Sequence, residues 1–267
     1  MATDTPATGT AGINGALWGR SARDWSQIQE GQFKAGFEAV LHHCDVGPGT
    51  DYLDAGCGAG MAAMLAAGRG ARVSGFDAAE ALLAIARERV PDGDFRTADL
   101  EAVPFADASF DIVTGFNAFQ FADDPVRALS EARRVAKPGS KVVVMTWGDP
   151  EGMEAAAIVG ALRPLLPPPP SGAAGPFALS DKVKLRGFAE AAGLTPEDVV
   201  DVDTHWSYPD EGTALRGLGS SGVAARARGL VGADAVDAAH LAALAPFRQA
   251  DGGFRIQAAC RFLVARD

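Results

Sequence analysis

The stretch that decides the fold is Asp54-Ala-Gly-Cys-Gly-Ala-Gly60, which directly follows the apolar-leaning pair Tyr52-Leu53. This order of residues predicts a strand, a tight glycine turn and then a helix. Glycines at alternate positions (Gly56, Gly58 and Gly60) allow positive φ angles and let a ligand lie against bare main chain. We therefore expect a nucleoside cofactor at this turn.

The spacing of these glycines separates two classes of nucleoside cofactor. Dinucleotide sites prefer the pattern G-x-G-x-x-G, in which a helix N-terminus faces a pyrophosphate. Here the third glycine comes one residue earlier, and Asp54, two positions before the first glycine, would repel a pyrophosphate. The sequence therefore disfavours an NAD-dependent oxidoreductase, and it also has no Tyr-x-x-x-Lys pair.

Asp-x-Gly-x-Gly-x-Gly resembles motif I of the class I S-adenosylmethionine-dependent methyltransferases, whose cofactor carries a sulfonium and an ammonium group. Three later segments resemble further motifs of the small-molecule ubiquinone and menaquinone methyltransferase relatives: residues 97–105, 109–113 and 128–139. The resemblance is good over residues 50–147. It implies S-adenosylmethionine as the cofactor and in-line transfer of its methyl group to a small apolar or aromatic acceptor.

Short apolar strands alternate with helices beyond the glycine turn. The strands are expected at about 51–55, 72–76, 94–97, 110–114 and 141–147, and the helices at about 60–68, 78–90 and 125–136. Repeated β-α units of this length imply parallel strands with right-handed crossovers. With late strands at 199–207 and 254–265, the prediction is an α/β fold with a doubly wound, seven-stranded, mostly parallel sheet of Rossmann-like type.

Composition shifts along the chain predict a division into a tail, a lid and a methyltransferase domain. Residues 1–12 are small, polar and without periodicity, which is typical of a flexible tail. Apolar residues recur at helical spacings within 13–47, which predicts an N-terminal helical lid. The methyltransferase domain then covers 48–267, with 209–250 as a helical cap insertion. We expect the lid and the cap to roof the strand ends and to define the substrate.

Acidic residues at successive strand ends predict the contacts with the adenosyl group. Asp77 follows the second strand about 20 residues after motif I, where a carboxylate meets ribose hydroxyls in nucleoside-binding folds. The alternative role for Asp77 is to cap the next helix, and the two roles are compatible. The family resemblance implies that Asp99 accepts a hydrogen bond from the adenine amino group and that the backbone of Leu100 reaches the ring.

The remaining cofactor contacts follow mainly from the resemblance. Trp18–Trp25 resembles a segment that folds over the methionine end of the cofactor, and the backbone at Phe116 and Asn117 is expected to accept from its ammonium group. Cys57 is included as a small residue between glycines, not as a nucleophile. The predicted cofactor-binding set is Trp25, Asp54, Gly56, Cys57, Gly58, Gly60, Asp77, Ala78, Asp99, Leu100, Phe116 and Asn117.

Aromatic residues near the strand ends predict the acceptor pocket, because pockets for small organic ligands are mostly apolar. The predicted substrate-lining residues are Trp18, Phe119, Gln120, Trp147 and Trp206. Packing in the core is the alternative for the aromatic members. His205, near the end of a late strand, is the candidate catalytic base, since an imidazole with a pKa near 6.5 can remove a proton from a phenol or amine.

Composition limits the partners and the location. A formal net charge of −10 predicts repulsion from nucleic acids and from anionic membranes. Three cysteines without a C-x-x-C pair, and four histidines without ligand spacing, predict no metal site. No apolar run approaches the ~20 residues that span a bilayer, so a cytoplasmic location is expected. Homo-oligomerisation stays open.

Two rival functions keep the same fold. One is a protein that uses bound S-adenosylmethionine to promote cyclisation or decarboxylation, for which turnover without release of S-adenosylhomocysteine would be the sign. The other is a non-catalytic protein that binds the cofactor and forms no product from any acceptor.

Overall fold

One seven-stranded sheet organises the chain. The computed structural model describes residues 10–168 and 175–267. The strands are β1 (Asp51–Ala55), β2 (Arg72–Asp77), β3 (Asp94–Thr97), β4 (Phe110–Phe116), β5 (Ala136–Trp147), β6 (Thr195–Tyr208) and β7 (Phe254–Arg266). Their order is β3-β2-β1-β4-β5-β7-β6, with β1 to β5 parallel and β7 antiparallel to both of its neighbours. The predicted doubly wound, mostly parallel sheet is confirmed.

Eleven helices accompany the strands within the described residues. They are α1 (Ala11–Gly19), α2 (Ala22–Asp24), α3 (Lys34–His43), α4 (Met61–Gly68), α5 (Glu80–Arg89), α6 (Pro125–Val135), α7 (Ala155–Gly160), α8 (Lys182–Ala191), α9 (Glu211–Gly219), α10 (Gly222–Val231) and α11 (Ala233–Leu244). A π-helical turn (Trp25–Gln29) and a 3-10 turn (Glu30–Phe33) join α2 to α3. The lid is therefore helical almost throughout.

Apolar residues on both faces of the sheet form two large core clusters. In β5, Val142 and Val144 pack in the cluster that contains residues of α6 and α8, whereas Val143 and Met145 pack in the cluster of α3 and α4. Successive side chains of a strand point to opposite faces, so a strand covered on both faces is apolar throughout. This burial fixes the carboxyl ends of β1, β2 and β4 at one edge of the sheet.

The lid begins earlier than the sequence predicts. Residues 1–9 of the predicted tail lie outside the described residues, but α1 already starts at Ala11. Thr10 Oγ1 and Asn14 Nδ2 both donate to the carbonyl of Phe121, at 3.0 and 2.9 Å, which ties this segment to the loop after β4. The tail boundary at residue 12 is therefore wrong.

The cap helices α9, α10 and α11 lie within the predicted insertion, and the division into lid, domain and cap stays a prediction. The cap is joined by α7 and by a 3-10 turn (Arg163–Leu165). Residues 169–174, which follow this turn, lie outside the described residues. Among the helices that the structure describes, none has the length and hydropathy to cross a bilayer.

Candidate active site

The glycine turn presents main chain to a large cavity. Gly56, Gly58 and Gly60 have φ angles of +69°, +54° and +80°, which side-chain-bearing residues rarely adopt. The backbone N–H groups of Gly56 and Cys57 donate to the carbonyl of Phe76, at 2.9 and 3.0 Å, and this anchors the turn to β2. The turn therefore holds its shape through backbone hydrogen bonds, and Gly56 and Gly58 line the cavity.

The cavity has a volume of about 850 Å³ and lies at the carboxyl ends of the parallel strands, beneath the lid and the cap. It is lined by most of the predicted cofactor residues: Trp25, Gly56, Gly58, Asp77, Ala78, Asp99, Leu100, Phe116 and Asn117. It is also lined by four of the five predicted substrate residues: Trp18, Gln120, Trp147 and Trp206. The structure thus brings these residues together around one space, while their contacts with ligands stay predictions.

Asp77 is fixed by the backbone on both sides. Its Oδ2 accepts from the N–H of Gly58 at 2.9 Å, and its Oδ1 accepts from the N–H of Ala79 at 2.8 Å. Each carboxylate oxygen can accept a further hydrogen bond, so both remain able to receive a ribose hydroxyl. Burial raises the pKa of Asp77, against the opposing effect of the backbone donors. Ala79, not Asp77, occupies the N-cap position of α5.

Asp99 and Asn117 take positions set by local turns. Asp99 Oδ1 accepts from the N–H of Glu101 at 2.9 Å, which orients the carboxylate in the loop after β3. Asn117 has a φ of +49°, a left-handed conformation that asparagine tolerates, and its N–H donates to the carbonyl of Met145 at 2.9 Å. Both residues therefore border the cavity from rigid turns at strand ends.

Three predicted cofactor residues support the turn from behind and do not line the cavity. Asp54 is buried, accepts from Thr114 Oγ1 at 3.2 Å, and has a pKa that burial raises well above the usual range. Cys57 is enclosed beneath the turn, and burial likewise raises the pKa of its thiol. A Cβ at Gly60 would come within 2.8 Å of the Cβ of Ala86, so Gly60 permits close packing of α5.

A buried ion pair joins the lid to the glycine turn. Glu30 of the lid is 4% exposed, and its carboxylate pairs with Arg89 of α5 and accepts from the N–H of Met61 at 3.1 Å. Arg89 also donates to the carbonyls of Ala59 and Ser26, at 2.8 and 2.7 Å. Burial raises the pKa of Glu30 and Arg89 opposes the rise. The network therefore connects the lid, the turn and the first residue of α4.

The lid is also hydrogen-bonded to β6. Tyr208 donates to Gln29 Oε1 at 2.8 Å, and Gln29 lines the cavity. Gln32 donates from Nε2 to the carbonyl of Ser207 at 3.1 Å and accepts from the N–H of the same residue at 2.9 Å. The lid is thus held at both the cofactor side and the cap side of the cavity.

Six aromatic residues form what we call the aromatic wall. Its members are Trp25, Phe33, Phe37, Phe116, Trp147 and Trp206, and all of them line the cavity. Ring centroids lie 5.7 Å apart for Trp147 and Trp206, 6.0 Å for Phe33 and Trp206, and 4.7 Å for Phe37 and Phe116. Phe33 and Phe37 were not expected as site residues, because their spacing in the sequence is also that of an ordinary packed helix.

Two site predictions are corrected by the structure. His205 is exposed and does not line the cavity, because β6 turns Thr204, Trp206 and Tyr208 inward and the residue between them outward. Phe119 is only 1% exposed and packs in the core under Gly115. Neither residue is placed to contact an acceptor in the cavity.

Three basic side chains at the cap end line the cavity and were not expected from the sequence. They are Arg163, Arg226 and His240, which we call the cap cluster. They come from the 3-10 turn after α7, from α10 and from α11. No local motif marks them, because each stands alone in its own segment. Across residues 10–168 and 175–267, no group of three or more histidine, cysteine, aspartate or glutamate side chains is arranged to hold a metal ion.

Comparison with known proteins agrees with the fold and with the predicted class of enzyme. The methyltransferase-domain family matches residues 53–144, which contain the glycine turn, Asp77 and Asp99. A malonyl-[acyl-carrier protein] O-methyltransferase from Erwinia pyrifoliae is 34% identical over 206 residues, covering 76% of this chain and 73% of the relative. A demethylmenaquinone methyltransferase from Renibacterium salmoninarum is 36% identical over 123 residues, covering 46% of this chain and 52% of the relative.

Among solved structures, a protein from Bacillus halodurans described as a candidate methyltransferase superposes with a TM-score of 0.58 at 18% identity, covering 86% of this chain and 97% of the other. That likeness shows the fold. Together with the sequence matches, it shows that the chain belongs to the class I S-adenosylmethionine-dependent methyltransferases. The predicted enzyme class and cofactor are confirmed.

The residues of the glycine turn fit this cofactor. A Cβ at Gly56 would come within 2.7 Å of the Cβ of Ala118, so glycine is required for the turn to pack this closely against the loop after β4 while it lines the cavity. Among residues 10–168 and 175–267, the carboxylates that line the cavity are Asp77 and Asp99, and they lie at this end of it. A cationic nucleoside is compatible with such a lining, whereas a pyrophosphate would be repelled.

Proposed function

We propose that this methyltransferase transfers the methyl group directly to a small, apolar or aromatic acceptor held against the aromatic wall. The observation that carries the proposal is the position of this wall between the glycine turn and the cap. Pockets for small organic ligands are mostly apolar with a few polar groups, and this cavity has that character. A cytoplasmic location and the oligomeric state stay predictions from the sequence.

The residues of the chain would act by binding and alignment. Bound S-adenosylmethionine supplies a methyl group that is already activated by the sulfonium. Asp77 would accept from the ribose hydroxyls, Asp99 would accept from the adenine amino group, and the main chain of the glycine turn would lie against the cofactor. The aromatic wall would exclude water and hold the acceptor in line, and alignment of this kind contributes roughly 7–11 kcal/mol to catalysis.

This mechanism needs no dedicated base when the acceptor is ionised or is already a good nucleophile. The exposed position of His205 fits such a mechanism, because this imidazole at the end of β6 does not line the cavity. Oxygen is the first acceptor atom to test, since the relative that aligns with 76% of this chain is an O-methyltransferase.

The test is turnover with S-adenosylmethionine labelled in the methyl group. The enzyme is incubated with a panel of small aromatic and aliphatic alcohols, phenols, carboxylic acids and amines, and both S-adenosylhomocysteine and labelled product are quantified by mass spectrometry. We expect labelled product from apolar members and equal amounts of S-adenosylhomocysteine. Turnover without label in the product would contradict methyl transfer.

A variant in the wall identifies the acceptor side. Trp147→Ala should raise KM for the accepted compound and leave the Kd of S-adenosylhomocysteine within about twofold, because Trp147 belongs to β5 and lies outside the span of the glycine turn. Equal losses of acceptor and cofactor binding would show that the wall belongs to the cofactor site.

A further inference from the structure

The charged residues that line the cavity are separated by sign. Within the described residues, the lining carboxylates are Asp77 and Asp99, both at the ends of strands that surround the glycine turn. The lining guanidinium groups are Arg163 and Arg226, both in the cap. An apolar cavity with these two ends favours a cationic ligand beside the carboxylates and an anionic group beside the arginines.

The cap cluster is separated from the glycine turn by two indole rings. Trp25 reaches the turn, since its Nε1 lies 3.6 Å from the Cβ position of Gly58. Trp18 meets Trp25 edge-on with ring centroids 4.9 Å apart, and Gly222 at the start of α10 packs against Trp18. Arg226 lies one helical turn further along α10. Arg226 is therefore reached from the glycine turn only across Trp25 and Trp18.

Arg163 and Arg226 are free where other cap arginines are paired. Arg216 pairs with Asp24 at 2.6 Å and Arg228 pairs with Asp237 at 2.8 Å, which fixes α9 to the lid and α10 to α11. Over residues 10–168 and 175–267, neither Arg163 nor Arg226 makes an ion pair or a side-chain hydrogen bond. In a chain with a net charge of −10, acidic partners are plentiful, so two free guanidiniums at one cavity are available to a ligand.

His240 supplies the third member of the cluster and an independent indication of a missing partner. It is 3% exposed, it lines the cavity, and its Nδ1 is buried without a hydrogen-bond partner. Native proteins satisfy most buried polar groups, and an exception calls for an explanation such as a ligand. Burial lowers the pKa of His240 to about 4, so the ring is neutral at neutral pH and donates through one N–H.

We propose that the cap cluster binds a carboxylate carried by the acceptor at the end remote from the methylated atom. Arg226 and Arg163 would bind its oxygens, since guanidinium groups make strong, often bidentate hydrogen bonds with carboxylates. His240 would donate a further hydrogen bond after a small movement of the ring. The inference rests on the proposed function, because it assigns the polar end of the substrate whose apolar body lies against the aromatic wall.

The experiment compares two ligands of almost equal shape. The Kd values of 6-phenylhexanoate and 6-phenylhexanamide are measured by calorimetry with the full-length enzyme saturated with S-adenosylhomocysteine, at 50 and 500 mM salt. We expect the carboxylate to bind at least tenfold more tightly than the amide at low salt. The difference in Kd between carboxylate and amide should shrink at high salt, because Arg163 and Arg226 are exposed.

Arg226→Gln should remove most of this difference in Kd, because it weakens the binding of 6-phenylhexanoate and leaves the binding of 6-phenylhexanamide unchanged. Arg255→Gln is the matched control, since Arg255 is exposed on β7, lies outside the cavity lining and has no ion pair with any described residue. Equal binding of the two probes, binding of neither, or equal effects of the two variants would overturn the proposal. Binding of S-adenosylhomocysteine is read in the same titrations, so loss of the cofactor would instead count against the proposed function.

Discussion

The two ends of the cavity are built in different ways. The cofactor end is assembled from the glycine turn, Asp77, Asp99 and Asn117, which lie at or just after the carboxyl ends of the consecutive parallel strands β1 to β4. The acceptor end combines the lid, β5, β6 and the cap, which are distant from one another in the sequence. One end depends on backbone geometry and the other depends on how separate elements pack.

This difference indicates which residues of the enzyme can be substituted without loss of the fold. At the cofactor end, positive φ angles and backbone hydrogen bonds leave few acceptable substitutions. At the acceptor end, side chains from independent segments set the shape and the charge, so a substitution alters the ligand more than the fold. We therefore expect large effects on cofactor binding at one end and selective effects at the other.

The largest expected effect is at Asp77. Asp77→Ala would remove the two charge-assisted hydrogen bonds that we propose to ribose, each worth about 1.5–3 kcal/mol, so the Kd of S-adenosylhomocysteine in calorimetry should rise at least ~100-fold. Asp77→Asn keeps one oxygen and should lose less. Asp92→Ala, an exposed aspartate after α5, is the control and should bind normally. Normal binding by Asp77→Ala would show that the ribose lies elsewhere.

The next effect concerns the ion pair between lid and turn. Glu30→Gln leaves Arg89 without its buried partner, and breaking a buried pair costs about 3–5 kcal/mol. The melting temperature should fall by roughly 6–20 °C, at about 2–4 °C per kcal/mol for a chain of this size. The exposed pair of Glu80 and Arg87 supplies the control, because Glu80→Gln should cost less than ~1 kcal/mol.

Equal melting of the two variants would show that the lid does not depend on Glu30. If Glu30→Gln also weakens S-adenosylhomocysteine binding while Glu80→Gln does not, the lid contributes to the cofactor end as well as to the acceptor end. That result would show that the cofactor end also depends on the packing of separate elements.

Local pattern explains why the cofactor end was predictable from the sequence. The glycine turn follows β1, Asp77 ends β2 and Asp99 lies two residues after β3, and the carboxyl ends of parallel strands meet at one edge of a sheet. Their spacing in the sequence was therefore enough to predict that they lie close together. It did not show that Asp54 is buried beneath the turn, because a strand residue next to a ligand-binding loop can face either side.

The acceptor end was harder to predict because a shift of one or two residues along the chain changes whether a side chain faces the cavity. Trp206 lines the cavity while the adjacent His205 is exposed, and Phe121 lines it while Phe119 is buried in the core. Sequence alternation in β6 does not say which face the lid covers. The cap cluster needed the packing of the 3-10 turn, α10 and α11, for which no short-range pattern exists.

A smaller effect tests the acidic residues beneath the glycine turn. The folded-state pKa of Asp54 lies well above its unfolded value of about 3.9, so the folded protein binds more protons than the unfolded chain between these two values. Stability contributed by Asp54 is therefore lost as pH rises through this window. Asp54→Asn should raise the melting temperature at pH 8 and flatten its pH dependence.

Asp51 is the control with the opposite sign. Its hydrogen bonds to Arg72 and Lys137 lower its pKa to about 2, so its contribution is present above the unfolded pKa and is lost as pH falls. Asp51→Asn should lower the melting temperature at pH 8. A fall in both variants would show that Asp54 is ionised and paired in the folded protein.

The smallest effect separates a ligand-binding role for His240 from a structural one. His240→Leu removes a buried nitrogen that has no partner, so the ligand-free enzyme should gain about 1 kcal/mol and melt 2–4 °C higher. Thr114→Val, which removes a buried hydroxyl bonded to Tyr52 and Asp54, should melt lower. If His240→Leu melts lower as well, the imidazole stabilises the cap itself; if it melts higher but loses the preference for 6-phenylhexanoate, the acceptor end sacrifices stability for recognition.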